Sequence, residues 1–133
     1  ALGSVLDLGC GYGYLLLVTA DLPFSKRSAT DNNAAAVLAA TASFARQQLP
    51  VSVTLDDCGE HLQERFDVIL CNPPFHQGFS TSSALAAKFL AQVRKLLKDK
   101  GIALRGTPNT AQAWHRLTVW ASCSTAWLIW PRR

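Results

Sequence analysis

A run of apolar residues that ends in three closely spaced glycines constrains the fold of this chain more than any other feature. Val5-Leu6-Asp7-Leu8 has the composition of a buried strand, and Gly9, Gly11 and Gly13 follow it, before the apolar stretch 14–20. Glycine tolerates positive φ and lets a ligand approach the backbone closely. The pattern therefore predicts a strand, a ligand-binding turn and a helix with unpaired N–H groups at its start. The alternative is a tight strand–helix connection without a ligand.

The spacing of these glycines indicates the kind of ligand. Gly-x-Gly-x-Gly differs from the Gly-x-Gly-x-x-Gly pattern that binds a pyrophosphate in dinucleotide-binding folds. Asp7 lies two residues before the first glycine, where its charge would repel a phosphate. The same charge would attract a cation such as the amino group of a methionine moiety.

Acidic residues also follow the next two predicted strands. Residues 27–31 are predicted to form a strand that ends at Asp31, 22 residues after Gly9. An acid at this place accepts hydrogen bonds from the ribose hydroxyls of an adenosine-type cofactor. Asp31 is equally a candidate N-cap for a predicted helix over residues 33–48. Each acid taken alone also fits a solvated loop charge.

A third predicted strand, residues 51–55, precedes two adjacent acids, Asp56 and Asp57, and then Cys58. A carboxylate here could accept the exocyclic amine of adenine. Further along, residues 84–98 follow helical spacing and residues 101–104 fit a fifth strand. Because strands alternate with helices and each glycine or acid falls where a strand ends, we expect an α/β fold. Its parallel-rich sheet would bind ligands at the carboxyl edge.

An apolar strand ending at Cys71 runs directly into Asn72-Pro73-Pro74-Phe75-His76. The Asn72 side chain offers a carbonyl acceptor and an amide donor, whereas Pro73 and Pro74 lack a backbone N–H and make the turn rigid. Phe75 adds a flat apolar face. An acceptor beside a stacking surface suits a planar substrate that carries an exocyclic amine. An ordinary strand-ending turn is the alternative.

Together these motifs resemble the class I S-adenosylmethionine-dependent methyltransferases. Within that class they are similar to the guanine-N2 methyltransferases of bacterial ribosomal RNA, whose signature is Asn-Pro-Pro-Phe-His. The resemblance covers roughly residues 4–104. It implies a Rossmann-like sheet, mostly parallel with a C-terminal antiparallel hairpin, and S-adenosylmethionine as cofactor. It also implies ribosomal RNA or a ribosomal subunit as substrate, in the cytoplasm.

The resemblance further implies roles for individual residues. Asp31 matches the ribose-binding acid and Asp57 the adenine-contacting position. The implied catalytic set, which holds the target base, is Asn72, Pro73, Pro74 and Phe75. The implied cofactor-binding set is Asp7, Gly9, Cys10, Gly11, Gly13, Asp31, Asn32, Asp57, Cys58 and Asn72.

The 133 residues are expected to form a single domain. The family implies a preceding domain, and the chain contains no methionine, so we interpret it as the C-terminal catalytic part of a longer protein. The tail after about residue 105 departs from the family pattern. Only residues 111–115 could be helical there, whereas 117–120 and 126–130 are expected to form the antiparallel last pair.

Composition is compatible with these expectations. A formal charge of +4 permits an RNA substrate without requiring one. The basic stretch 94–100 is interpreted as the solvated face of a helix. The four cysteines lack CxxC spacing, so we predict no zinc, no disulfides and a reducing compartment. No segment is long enough for a membrane span.

Two other functions stay open at this point. A protein glutamine amide is planar and could meet the same acceptors as a base, although Tyr in place of Phe75 is the commoner family form for that substrate. The chain could also be a cofactor-binding fragment without activity.

Overall fold

The computed structural model describes residues 2–71, 79–106, 116–121 and 127–131. Seven strands and three helices lie within these ranges. The strands are β1 Gly3–Leu8, β2 Phe24–Asp31, β3 Ser52–Leu55, β4 Phe66–Cys71, β5 Leu97–Gly106, β6 Arg116–Ala121 and β7 Trp127–Pro131. The helices are α1 Tyr14–Val18, α2 Ala34–Arg46 and α3 Phe79–Leu96.

All seven strands form one sheet in the order β3-β2-β1-β4-β5-β6-β7. The first five are mutually parallel, which confirms the predicted α/β, Rossmann-like arrangement. Beyond them, β6 pairs with β5 and β7 with β6 in antiparallel register. The chain moves outward from β1 to β3 and then crosses back to β4, so the strand order reverses between β1 and β4. A crevice for ligands is expected at that switch point.

Side chains alternate between the two faces of the sheet, and each face has its own core. On one face Leu6 and Leu8 of β1 pack in a buried cluster with Phe89 and Val93 of α3. On the other face Val5 belongs to a cluster that includes residues of α1 and α2. Because alternate residues of a strand share a face, Asp7 lies on the Val5 side.

Element boundaries differ from the sequence prediction in two informative places. α2 begins at Ala34, and its N-cap is Asn33, whose side chain accepts hydrogen bonds from the amides of residues 35 and 36. The alternative of Asp31 as the cap is therefore wrong, because that residue ends β2. α3 begins at Phe79, five residues before the predicted start. Its first turn is rich in serine and threonine, so apolar periodicity does not mark it.

The C-terminal predictions can be compared only in part. β6 includes the predicted strand 117–120, and β7 includes residues 127–130 of the predicted strand 126–130. The predicted helical segment 111–115 lies outside the described residues. Within the described ranges, no helix is both long enough and apolar enough to cross a membrane.

Candidate active site

The register of the parallel strands brings four strand ends to one edge of the sheet. Leu8, the last residue of β1, is paired with Thr30 on one side and with Cys71 on the other. One strand further out, Asp31 is paired with Leu55. The carboxyl ends of β1, β2, β3 and β4 therefore lie side by side at this edge.

The glycine-rich turn uses its three glycines in different ways, although all have positive φ. A Cβ on Gly13 would lie 2.5 Å from Cζ of Phe44, so this glycine is required for packing against α2. A Cβ on Gly9 would lie 3.1 Å from the Phe89 ring. A Cβ on Gly11 would meet nothing within 4 Å. Gly11 is thus the glycine at which a ligand could approach the backbone.

Asp31 connects the glycine-rich turn to the end of β2. Its Oδ2 accepts a 2.8 Å hydrogen bond from the Gly11 amide, and its Oδ1 accepts one of 2.9 Å from the Asn33 amide. A carboxylate oxygen can accept more than one hydrogen bond, so both oxygens keep acceptor capacity for ribose hydroxyls. Asn32, the next predicted contact, is exposed beside it.

Asp7 is almost completely buried, with 1% of its surface exposed. Neither carboxylate oxygen has a hydrogen-bond partner within the described part of the chain. Burial, helped by the negative charge of Asp31, raises the pKa of Asp7 from 3.8 to about 8. A buried carboxylate without donors is costly, and an ammonium group would offset that cost. This orphaned acid fits the cationic amino group that the sequence predicts there.

The two acids after β3 have separate roles. Asp56 is buried, and its carboxylate accepts hydrogen bonds from the amides of Asp57 and His61 and contacts the His61 ring at 2.8 Å. Burial would raise the pKa of Asp56, but these hydrogen bonds together outweigh it and hold that pKa below its usual range. The hydrogen bond to Asp56 raises the pKa of His61. Asp57 is about half exposed. Asp57 is therefore the acid that a ligand can reach, and Asp56 shapes the loop.

The cysteines at this edge are buried and neutral. Burial raises the pKa of Cys10 to about 12 and that of Cys58 to about 11. A thiol with so high a pKa is a poor nucleophile at neutral pH. Cys10 and Cys58 are free thiols. Within the ranges that the structure describes, no cluster of three or more His, Cys, Asp and Glu side chains could hold a metal ion.

The predicted base-binding residues Asn72, Pro73, Pro74 and Phe75 lie outside the described residues. Their roles, including that of Asn72 toward the cofactor, stay predictions. The described part of the chain ends at Cys71, the register partner of Leu8, and resumes at Phe79 with α3. In sequence, the Asn-Pro-Pro-Phe-His segment therefore begins one residue beyond the strand end beside the glycine-rich turn.

Sequence reasoning missed three contacts that shape the site. Lys88 of α3 forms an ion pair with Asp57, Gln92 donates to the Cys58 carbonyl, and His61 pairs with Asp56. Lys88 and Gln92 reach across more than thirty residues. The sequence does show that Lys88, Gln92 and Lys95 share one helix face, but charged residues on a solvated face have the same spacing.

A Rossmann-like sheet with an orphaned acid, a glycine-rich turn and two further acids at successive strand ends fits a cofactor with a cationic amino group, a ribose and an adenine. This is the arrangement of the S-adenosylmethionine-dependent methyltransferases. Residues 1–115 match the methyltransferase small domain family, and the chain belongs to that family. S-adenosylmethionine is the cofactor of that class.

Curated relatives carry related names. A ribosomal RNA large subunit methyltransferase G of Shewanella baltica is 42% identical over 118 residues, covering 84% of this chain and 31% of the relative. A ribosomal RNA small subunit methyltransferase C of Actinobacillus succinogenes is 37% identical over 100 residues, covering 74% of this chain and 30% of the relative. The chain thus spans under a third of the length of these two relatives.

Solved structures share the fold. The 16S rRNA methyltransferase RsmC of T. thermophilus, in complex with AdoMet and guanosine, matches with a TM-score of 0.70 and 24% identity. That match covers 98% of this chain and 37% of the other. An S-adenosylmethionine-dependent methyltransferase of Clostridium acetobutylicum matches with a TM-score of 0.68 and 20% identity, covering 91% and 54%.

Proposed function

We propose that this chain transfers a methyl group from S-adenosylmethionine to the N2 amine of a guanine in ribosomal RNA. The observation that carries the proposal is the pairing of Leu8 with Cys71. Because of it, the strand end that the Asn-Pro-Pro-Phe-His segment follows in sequence lies beside the start of the glycine-rich turn. The names of the relatives support an RNA substrate. The guanosine and AdoMet bound by the T. thermophilus enzyme support a guanine base beside this cofactor.

On the cofactor side, each strand end would hold one part of S-adenosylmethionine. When bound, this cofactor supplies a methyl group attached to a positively charged sulfur. Asp7 would pair with the amino group, because its buried oxygens otherwise lack a partner within the described part of the chain. Asp31 would accept from the ribose hydroxyls while it holds the glycine-rich turn through the Gly11 amide. Asp57 would accept from the adenine amine.

On the substrate side, the chemistry follows from the residue types after β4. The side-chain oxygen of Asn72 and the carbonyl of Pro73 would accept the two hydrogens of the guanine amine. This directs the nitrogen lone pair out of conjugation with the ring and toward the donor. Both carbonyl dipoles also favour the positive charge that develops on nitrogen. Phe75 would stack on the base and fix its plane.

No strong general base is needed for this reaction. The guanine amine is neutral before attack, and orientation by two acceptors supplies much of the rate increase. The neutral thiols of Cys10 and Cys58 agree with a mechanism that has no covalent enzyme intermediate. We therefore expect the pH dependence of the rate to reflect cofactor binding rather than a catalytic base.

The whole protein's activity is part of the proposal. The relatives are about three times as long as this chain, which covers 31% of the first. We expect the whole protein to engage RNA through segments beyond residues 1–133 as well. A protein glutamine amide and a fragment without activity are the alternatives, and Phe75 favours the base over the amide.

The test is transfer of a labelled methyl group. The chain is incubated with labelled S-adenosylmethionine and, separately, small-subunit RNA, large-subunit RNA and a release-factor-type protein. Digestion to nucleosides and mass spectrometry should then identify N2-methylguanosine in one RNA. Labelling of the protein that survives ribonuclease would contradict the RNA substrate. Labelling of neither would favour the fragment without activity.

A further inference from the structure

One face of α3 holds the loop that follows β3. Lys88, Gln92 and Lys95 occur at intervals of four and three residues, so they lie on the same side of the helix. Gln92 donates a 2.9 Å hydrogen bond to the Cys58 carbonyl. Lys95 approaches the Glu60 carbonyl at 3.5 Å. The Gln92 hydrogen bond fixes the loop backbone relative to α3, whereas the Lys95 contact is exposed and at the limit of hydrogen-bond length.

Lys88 differs from its two neighbours because it contacts side chains. Its Nζ lies 2.7 Å from Oδ2 of Asp57 and 3.4 Å from Oε1 of Glu60. The hydrogen bond to Asp57 raises the pKa of Lys88 above its ordinary value, so the side chain is an ammonium at neutral pH. Within the described residues, no hydrogen bond occupies the second Asp57 oxygen, Oδ1. Lys88 thus holds Oδ2 of Asp57, while Oδ1 stays available to a ligand.

Asp57 is the exposed acid of the loop after β3, to which the proposed function assigns the adenine amine. Asp31 and Leu55 are register partners, and the Asp56 amide donates to the Asp31 carbonyl at 2.9 Å. The loop that carries Asp57 therefore starts beside the ribose acid. An exposed carboxylate rotates freely, and ordering it on ligand binding costs conformational entropy. An ammonium that tethers one oxygen reduces that cost.

We propose that Lys88 is a positioning residue that orients Asp57 to accept the 6-amino group of adenine, and that it thereby sharpens selection of an adenine cofactor. This inference rests on the proposed function, since it requires the cofactor to bind at this edge. Lys88 also connects the cofactor loop to α3, the helix that follows the Asn-Pro-Pro-Phe-His segment in sequence.

The experiment compares two ligands by calorimetry. One is S-adenosylhomocysteine, and the other is its analogue in which hydrogen replaces the 6-amino group. For Lys88→Ala we expect affinity for S-adenosylhomocysteine to fall about three- to five-fold, the size expected for an exposed ion pair. Affinity for the analogue should not change. The ratio of the affinity for S-adenosylhomocysteine to that for the analogue should therefore fall by the same factor. Lys88→Arg should restore the preference, because it keeps the cation.

Lys95→Ala is the matched control. It removes a cation from the same helix face and the same loop without touching Asp57, and both affinities should stay as in the wild type. Equal weakening of both ligands by Lys88→Ala would show a structural role and overturn the inference. An unchanged preference would also overturn it while leaving the proposed cofactor site intact. If the folded wild type binds neither ligand, the proposed function fails, and the role of Lys88 fails with it.

Discussion

The backbone amide of Gly11 donates a 2.8 Å hydrogen bond to Oδ2 of Asp31, a residue that lies 20 positions later in the chain. The bond joins the glycine-rich turn after β1 to the carboxyl end of β2. Asp31 therefore has two tasks, because it shapes the turn expected to contact the methionine part of the cofactor and offers acceptors to the ribose. A substitution at Asp31 should affect both parts of the ligand.

Asp31→Ala should weaken S-adenosylmethionine binding more than any other single change in the cofactor site. Loss of charged hydrogen bonds to ribose and to Gly11 predicts at least a ten-fold loss of affinity, or about 1.4 kcal/mol. Asp31→Asn keeps an oxygen acceptor for the Gly11 amide and should lose less. Calorimetric titration of both variants measures this order. Unchanged affinity in Asp31→Ala would rule out the ribose assignment.

Asp7→Asn should remove a specific pH dependence of stability. The pKa of Asp7 is about 8 when folded and 3.8 ordinarily, so between these values the folded chain holds a proton that the unfolded chain has lost. Stability due to this group is fully present below pH 3.8 and is lost as pH rises toward 8. The slope is at most about 1.4 kcal/mol per pH unit.

Urea unfolding of wild type and Asp7→Asn at several pH values between 5 and 8 isolates this contribution, because other titrating groups cancel in the difference. The variant should gain in relative stability as pH rises, yet bind S-adenosylhomocysteine more weakly. Parallel pH profiles would mean that Asp7 is ionised in the free protein.

Two alanine substitutions in the glycine-rich turn should differ in effect, because one mainly lowers stability and the other mainly lowers cofactor affinity. Gly13→Ala forces a Cβ to within 2.5 Å of Phe44 at a φ of +86°, and should destabilise the chain by about 2–4 kcal/mol. Gly11→Ala meets no protein atom within 4 Å and should cost only about 1 kcal/mol. Gly11→Ala should nevertheless weaken cofactor binding about ten-fold, or 1.4 kcal/mol. Equal cofactor affinity in wild type and Gly11→Ala would show that the ligand does not approach this backbone.

Asn72→Ala should abolish methyl transfer while cofactor affinity stays within a few-fold of wild type. The physical reason is that the amide oxygen orients the guanine amine and stabilises charge that develops only during transfer. Single-turnover transfer and calorimetry on the same sample separate the two effects. A variant that keeps its fold but loses cofactor binding would show that Asn72 acts mainly by binding the cofactor and not by orienting the base.

Local patterns in the sequence predicted the elements at the carboxyl edge of the sheet well. Buried strands, glycines and acids occur within a few residues of one another, so β1 and its turn could be inferred, as could the acid that ends β2. The N-cap of α2 could not be assigned, because Asp31 and Asn33 are both good caps and only the end of β2 decides between them.

Contacts between distant segments were not predictable in the same way. Lys88 and Asp57 are 31 residues apart, and a lysine on an exposed helix face has no sequence signal that distinguishes a tether from a solvated charge. Asp56 stabilises the loop while Asp57 stays exposed, and this difference likewise depends on which carboxylate turns inward toward the His61 amide. Such choices follow from tertiary packing.

Calorimetric titration of this chain with S-adenosylmethionine tests the cofactor site most directly. Binding with a micromolar dissociation constant, about −8 kcal/mol, and an affinity at least about ten-fold lower in Asp31→Ala are the predicted results. A wild-type sample that unfolds cooperatively, and so is folded, but shows no binding at millimolar ligand would contradict the assignment of this sheet edge.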